Sequence, residues 1–152
     1  MIRKHAYRIL MFFAVAGLLV AAYSLKQHYA PLGTSVCNVN ATFSCDLVNK
    51  GPYAELFGFP VAAIGLIGYL MILIVAVQFG RTKDPILGKA LLVLLVGGVA
   101  FSLYLTSLEA FVIHGWCLLC LGSLSCISGA TLSGALAYED MTRLPQGTGK
   151  IA

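Results

Sequence analysis

Hydrophobic residues occur in this chain as long uninterrupted runs, and these runs predict its architecture. Four segments are apolar over lengths close to the roughly 20 residues that a membrane-crossing helix needs. They cover Ile9–Leu25, Phe57–Phe79, Ile86–Ile113 and Trp116–Tyr138, and Lys89 and Glu109 are the charged residues within them. Because lipid offers the backbone no hydrogen-bond partners, each run is predicted to be an α-helix, and the four are expected to pack as one bundle.

Polar positions mark the segments between the runs. Residues 26–56 form the one sizeable polar stretch, which contains Cys37 and Cys45, whereas the polar link over residues 80–88 is short. Little more than Gly115 separates the third run from the fourth, so these two helices are expected to form an antiparallel hairpin.

Aromatic residues four positions apart, Tyr53 and Phe57, predict a short amphipathic segment between the first two helices. Such a segment would rest on the membrane surface with both rings turned inward. The sequence therefore predicts an all-α integral membrane protein, a four-transmembrane-helix bundle with a single domain over residues 1–152.

Composition and charge add an orientation to this bundle. Hydrophobic residues make up 59% of the chain and charged residues 11%, a balance typical of membrane proteins. Eight of the ten basic residues fall on one side of the predicted membrane, and Lys26 and Lys50 on the other. The positive-inside rule then places both termini in the cytoplasm, and residues 26–56 and the turn before Cys117 outside. The eight are Arg3, Lys4, Arg8, Arg81, Lys83, Lys89, Arg143 and Lys150.

The same charges allow two other interpretations, and the sequence disfavours both. The net charge of +4 is scattered over loops without an aromatic-interleaved patch, so no nucleic-acid partner is expected. Residues 1–24 resemble a signal peptide in placing basic residues before an apolar run, but the run is long and Ala21-Ala22-Tyr23-Ser24 is a poor cleavage site. The predicted location is the inner (plasma) membrane of a bacterium, with the cysteine loop in the periplasm, where disulfides persist.

Cys117 and Cys120 form a Cys-x-x-Cys motif at the start of the fourth run. Helical positions three apart bring the side-chain roots to within roughly 5 to 6 Å, so this pair can close and reopen a disulfide. A helix N-terminus also stabilises a thiolate and lowers the pKa of a thiol there. Cys117 is expected to be the exposed member and Cys120 the deeper one, and simple core packing of two cysteines is the alternative.

Cys37 and Cys45 lie in the polar loop, on the same predicted side of the membrane as Cys117. A mobile loop that exchanges disulfides with a soluble partner and then with the helix pair would make a relay through mixed disulfides. A structural disulfide that braces the loop is the alternative. A zinc site is disfavoured, because structural sites want four ligands and the loop cysteines are eight apart. Cys126 is expected to pack in the core.

Three further side chains lie near the outer end of the helices. Glu109 is the acidic residue within an apolar run, which makes it a functional candidate that can accept a proton, although plain solvation at the membrane edge would also explain it. His114 can shuttle protons or sit at the interface. Trp116 fits the interfacial aromatic belt, and its closeness to Cys117 suggests stacking on a ligand.

Taken together, these features resemble the vitamin K epoxide reductase family, and more narrowly its prokaryotic members without a fused thioredoxin-like domain. The resemblance covers about residues 8–140. It is carried by Cys37 and Cys45 with the following Asp46-Leu47-Val48, by Phe57-Gly58-Phe59-Pro60, by Gly65 and Tyr69, and by Trp116-Cys117-Leu118-Leu119-Cys120.

The resemblance implies a membrane thiol:quinone oxidoreductase that promotes disulfide formation in exported proteins. In the family, the cysteine that matches Cys37 exchanges disulfides with a thioredoxin-fold, DsbA-like partner. The cysteine that matches Cys45 passes electrons to the one that matches Cys117, and the cysteine that matches Cys120 faces the quinone. Ubiquinone or menaquinone is then both substrate and electron acceptor, and neither a metal nor a flavin is expected. The predicted catalytic residues are Cys37, Cys45, Cys117 and Cys120, and the predicted quinone contacts are Cys120, Trp116, Phe57 and Glu109.

Two positions depart from the family pattern. Gly51 stands where a hydroxyl residue commonly follows the second loop cysteine, and Leu124 stands where vertebrate members have a tyrosine, so reduction of a plain quinone is favoured over epoxide reduction. A DsbB-like enzyme is the alternative within the same chemistry, although its quinone-side motif follows the first helix. A non-enzymatic tetraspan scaffold with structural disulfides explains the loop pair but explains the helix-start dithiol poorly.

Overall fold

The computed structural model describes residues 2–33, 35, 37, 38 and 44–142, and four long helices dominate this part of the chain. Helix α1 covers Ile2–Tyr29, α3 Val61–Thr82, α4 Pro85–Leu108 and α5 Leu118–Thr142. All four are long and apolar enough to cross a membrane. The predicted all-α four-helix architecture is confirmed, and a short helix α2 (Cys45–Asn49) lies in the cysteine-bearing segment between α1 and α3.

The structure corrects several predicted helix bounds, and local residue chemistry explains where α3 and α4 begin. Helix α1 is longer than predicted at both ends, covering Ile2–Tyr29 instead of Ile9–Leu25. Helix α3 starts at Val61 rather than at Phe57, with Pro60 in an extended conformation as its N-cap. At the start of α4, Asp84 Oδ1 accepts the Ile86 N–H at 2.8 Å, and proline occupies the favourable first helical position. Helix α5 starts at Leu118, so Trp116 precedes it instead of opening it.

The helices close into a ring in which α1 and α4 each pack against both α3 and α5. Fully buried aliphatic side chains, among them Leu10, Leu91 and Leu95, fill the centre. Gly17 of α1 allows the Tyr69 ring of α3 to lie directly against its backbone, where even a methyl group would collide with the ring. Close approach over small residues is a common way for membrane helices to pack, since lipid gives no hydrophobic driving force between them.

Large apolar side chains also cover the outside of the bundle. Phe12, Leu19, Val93 and Leu132 all project from the helices with most of their surface exposed. A soluble domain rarely exposes contiguous apolar surface of this extent, whereas lipid solvates it. The described chain is accordingly a multi-pass membrane protein.

The predicted amphipathic turn at Tyr53–Phe57 is wrong in form. Glu55–Leu56 and Phe59–Pro60 pair as a two-stranded antiparallel hairpin, β1 and β2. Phe57 and Gly58 form its tip with φ of +54° and +82°, the positive values that a tight two-residue hairpin turn requires. Because the tip points away from the bundle, the Phe57 side chain is 96% exposed rather than turned inward.

A π-helical turn (Glu109–Ile113) ends the third span. His114 follows in the left-handed conformation, with φ of +54°, and the N–H groups of His114 and Gly115 both bond to the Glu109 carbonyl. The chain reverses there and enters α5 after Cys117, which confirms the predicted close connection between the third and fourth spans. π-Helical turns are frequent at functional sites.

Candidate functional site

A disulfide between Cys37 and Cys45 is the first part of the site. Asp46 holds the surrounding loop together: its Oδ2 accepts the Gly33 N–H and the Asn38 Nδ2–H, each at 2.7 Å, and its Oδ1 lies 2.9 Å from Lys50 Nζ. Ser44 caps α2 by accepting the Leu47 N–H. These bonds tie together the described parts of the loop around Cys45, the first residue of α2.

The Asp46 carboxyl is ionised over the whole physiological pH range. Burial by itself raises the pKa of this carboxyl, but the bonds from Lys50, the Gly33 amide and Asn38 outweigh it and lower the pKa to about 2, against an ordinary value of 3.8. The negative charge that organises the loop is therefore retained wherever the protein is expected to work.

The two cysteine pairs meet at one end of the bundle. Cys37, Cys45 and Cys117 form one buried cluster, with Val48, Leu119 and Cys120 packed against it. A backbone bond from the Ser44 N–H to the Trp116 carbonyl, at 3.2 Å, ties the cysteine loop to the segment before α5. The sulfur groups therefore lie on the same side of the membrane-crossing region, as a relay between them requires.

The expected order of exposure within the Cys-x-x-Cys pair is wrong. Cys117 is fully buried beneath the loop disulfide, whereas Cys120, one turn further along α5, is partly accessible. The reason is tertiary: the loop covers the residue at the mouth of the helix, and the helices leave space beside the next turn. Both residues are free thiols next to the closed Cys37–Cys45 disulfide.

Cys117 is set up to form a thiolate. A hydrogen bond from the Cys120 thiol lowers the pKa of the Cys117 thiol below its ordinary value of 9.0. Burial opposes this effect, while the N–H groups of Cys120 and Leu119, in the first turn of α5, reinforce it. The helix start thus acts on the thiol pKa as the sequence predicted.

Glu109 lies against both thiols. It is completely buried, and its Oε2 accepts the Cys117 N–H at 3.0 Å. A carboxylate oxygen and the sulfurs of Cys117 and Cys120 all lie within 4.8 Å of one another. Glu109 Oε1 has no hydrogen-bond partner in the described part of the chain, which leaves it open to accept a proton. These three side chains would also suit a thiophilic cation, although they leave a fourth position open.

A cavity of about 330 Å³ opens beside Cys120. All four long helices line it, and the lining is mainly aliphatic, with Leu119, Ser123 and Ile127 alongside Cys120 on the α5 wall. Its volume is within the range of ligand-binding cavities, and its apolar walls suit a lipid-soluble ring. A second space of about 30 Å³ adjoins Cys120, Glu109 and Asn49.

The lining includes polar residues to which the sequence assigned no role at the site. Tyr69 donates its hydroxyl proton to the Ser123 carbonyl at 2.9 Å and so joins α3 to α5 one turn below Cys120. Asn49, at the end of α2, accepts a bond from the Ser24 hydroxyl at 3.0 Å and borders both spaces. The signal available for Asn49 was its spacing of one helical turn from Cys45. Nothing in the sequence pointed to Ser24.

The structure brings together two of the four predicted quinone contacts. Cys120 and Glu109 both line the smaller space, and Cys120 also lines the larger cavity, whereas neither lining includes Trp116 or Phe57. Trp116 is half-buried and uses its carbonyl to hold Ser44. His114 is exposed at the surface, and Cys126 is partly buried further along α5.

Comparison with known protein families gives one finding that bears on this geometry. The model described as "Vitamin K epoxide reductase family" matches residues 8–134, which is most of the chain. The matched segment contains the loop disulfide, Glu109 and the Cys-x-x-Cys pair.

Proposed function

Since this chain belongs to the vitamin K epoxide reductase family, whose members are quinone-reducing thiol oxidoreductases, we propose that it oxidises an exported thioredoxin-fold, DsbA-like protein and passes the electrons to a membrane quinone. The observation that carries the proposal is the continuous path from the Cys37–Cys45 disulfide, through buried Cys117, to Cys120 at the apolar cavity. Ubiquinone or menaquinone is the proposed electron acceptor.

The first half-reaction is exchange at the loop. A partner thiolate attacks Cys37 Sγ and releases Cys45 as a thiolate, and the second partner thiol then displaces Cys37, so that the partner leaves with a disulfide and the loop holds two thiols. The resemblance to the family supplies the order in which Cys37 acts before Cys45. Both loop cysteines are buried, but Cys37 keeps 7% of its surface exposed and Cys45 none, which agrees with Cys37 as the sulfur that a soluble partner reaches first.

Transfer to the helix pair is the second exchange. Cys45 attacks Cys117 in a Cys117–Cys120 disulfide and releases Cys120, and Cys37 then displaces Cys117 and restores the loop disulfide. The products are a closed Cys37–Cys45 disulfide and two free thiols at Cys117 and Cys120. The structure holds the cysteines in this arrangement, which is the state ready to reduce a quinone.

Quinone reduction completes the cycle at Cys120. Two thiols and one quinone give one disulfide and one hydroquinone, so two electrons and two protons leave the sulfurs for the quinone oxygens. Cys120 delivers the electron pair from the cavity wall, and the thiolate of Cys117 closes the disulfide behind it. Glu109 accepts a thiol proton through its open Oε1 and returns it to a quinone oxygen, in the role of a general base and acid.

The proposed orientation puts both termini in the cytoplasm and the cysteine end outside, in the inner membrane of a bacterium. The distribution of basic residues supports it, because the 80–88 link with Arg81 and Lys83 lies at the end of the bundle opposite the sulfur cluster. The place of the Cys-x-x-Cys pair before the last helix, together with the family match, favours this function over a DsbB-like arrangement.

Reconstituted turnover tests the proposal. Wild-type protein in lipid vesicles should reduce ubiquinone or menaquinone when given a reduced thioredoxin-fold protein, and Cys126→Ala should behave like the wild type because it lies outside the sulfur cluster. Cys120→Ala should still exchange with the partner but reduce no quinone. Cys37→Ala should lose the protein partner while still accepting electrons from small thiols. Undiminished turnover in Cys120→Ala would refute the proposal. Cysteines that stay in one oxidation state whether or not quinone is supplied would indicate a scaffold.

A further inference from the structure

Asn49 has a buried amide group that is only half satisfied. The residue is 8% exposed, and its Oδ1 accepts the Ser24 hydroxyl at 3.0 Å. Its backbone carbonyl accepts a bond from His28 Nδ1 at 2.6 Å, so backbone and side chain are both anchored to α1. Asn49 Nδ2 has no hydrogen-bond partner within the described residues.

An unpaired buried amide costs free energy, so its position calls for an explanation. Asn49 borders the cavity beside Cys120 and also the smaller space beside Glu109. Two other hydroxyl groups on the cavity wall are engaged, since Tyr69 donates to the Ser123 carbonyl and Ser24 donates to Asn49 itself. Asn49 Nδ2 therefore keeps two unused N–H hydrogens, in a residue that lines the same two spaces as Cys120.

The missing partner must be an acceptor that an apolar cavity can hold. A quinone head group has this chemistry: its ring is apolar and its two carbonyl oxygens accept but do not donate. We propose that Asn49 is a positioning residue for the quinone, donating a hydrogen bond from Nδ2 to one carbonyl oxygen while the ring lies beside Cys120. This inference rests on the proposed function and adds the residue that orients its substrate.

The position of Asn49 gives that bond a second consequence. Helix α2 begins at Cys45 and ends at Asn49, so one five-residue helix carries both the relay cysteine and the quinone donor. A quinone held by Asn49 therefore also steadies the element that places Cys45 over Cys117. Binding of quinone and exchange at the loop disulfide are expected to influence each other through α2, since any such coupling is reciprocal.

Steady-state kinetics of Asn49 variants test the inference. Purified wild type, Asn49→Leu and Asn49→Asp are given dithiothreitol as electron donor and ubiquinone-1 as acceptor, which removes the protein partner from the measurement. Gln78→Leu is the matched control, because it makes a similar amide-to-leucine change at an exposed site on α3, outside both spaces. Stabilisation against heat by ubiquinone-1 is recorded in parallel as a measure of binding that does not depend on turnover.

Asn49→Leu should raise the KM for ubiquinone-1 about fivefold, the usual effect of one lost neutral hydrogen bond, with kcat changed less than about threefold. It should also lose most of the thermal stabilisation by ubiquinone-1, while Gln78→Leu matches the wild type. Asn49→Asp should bind better at low pH than at high pH, because a protonated carboxyl donates and an ionised one only accepts. A structural role alone would not produce that pH dependence.

Three results would overturn the inference. The first is a KM within twofold of the wild type in Asn49→Leu, and the second is a fall in kcat with an unchanged KM. The third is a KM for ubiquinone-1 in Asn49→Asp that does not change with pH. This third result decides the question if Asn49→Leu fails to fold. A wild-type protein that reduces no quinone would refute the proposed function itself. Normal turnover in the wild type together with unchanged kinetics in the Asn49 variants would refute only the role of Asn49.

Discussion

Replacing Glu109 by glutamine isolates the proton-transfer role proposed for this side chain. Glutamine keeps the size of the residue and a carbonyl oxygen that can still accept the Cys117 N–H, now accepted by Glu109 Oε2 at 3.0 Å. What it removes is the group that can take up a proton beside the two sulfurs. Glu109→Gln should consequently fold like the wild type and reduce quinone slowly.

The structure sets the size of both effects. A well-placed general base or acid contributes about 10²- to 10⁴-fold, so kcat for quinone reduction should fall by at least about 100-fold, or roughly 2.7 kcal/mol of activation free energy. Glu109→Ala should fall similarly in rate but also lose stability. It leaves the buried Cys117 N–H without an acceptor, at a cost of about 1–3 kcal/mol in the free energy of unfolding.

Rapid mixing of the reduced protein with excess quinone provides the assay, with the ultraviolet absorbance of the quinone as the signal. Glu55→Gln is the matched control, since Glu55 is an exposed acid on β1 at the same end of the bundle. Exchange between the loop disulfide and a protein dithiol, measured separately, should stay normal in Glu109→Gln because no step of that exchange involves the carboxylate. A Glu109→Gln rate within threefold of the wild type would refute the reasoning.

Three further predictions concern the thiol, the loop and the packing. The pKa of Cys117, measured by thiolate absorbance in a Cys126→Ala background, should lie below 9.0. It should rise when Cys120 is replaced by alanine, because the Cys120 thiol is the main group that lowers it. An unchanged titration midpoint would contradict this. Asp46→Asn should lower thermal stability at neutral pH, since it weakens bonds to Gly33, Asn38 and Lys50. The folded-state pKa of about 2 is below the ordinary 3.8, so the stabilisation by the ionised carboxylate is complete above pH 3.8 and is lost as the pH falls towards 2. If the difference in thermal stability between wild type and Asp46→Asn does not shrink over that pH range, the carboxylate charge is not its cause. Gly17→Ala should cost about 1–3 kcal/mol in detergent unfolding because its methyl group meets the Tyr69 ring, whereas Gly122→Ala, with open space around it, should be close to neutral; equal stabilities would show that the ring moves aside freely.

The sequence by itself determined the architecture and the reactive groups. Long apolar runs must be helical in lipid whatever their neighbours are, so the four runs predicted α1, α3, α4 and α5, although α1 begins at Ile2 rather than at Ile9. The Cys-x-x-Cys spacing and its place at a helix start likewise act within one turn, which is why the lowered pKa of the Cys117 thiol could be expected. Effects that depend only on a few neighbouring residues can therefore be predicted from the sequence.

Tertiary structure decided how those groups are used. Which of Cys117 and Cys120 is accessible depends on the loop that covers one and on the space that the four helices leave beside the other, and neither is local in sequence. Phe57 points away because two short strands pair and turn it outward at their tip, although its four-residue spacing from Tyr53 suited a helix. Asn49 joins the site because Ser24, 25 residues away along the chain, fixes its amide. Burial and hydrogen bonding between distant segments arise only when the chain folds, so no pattern along the sequence records them.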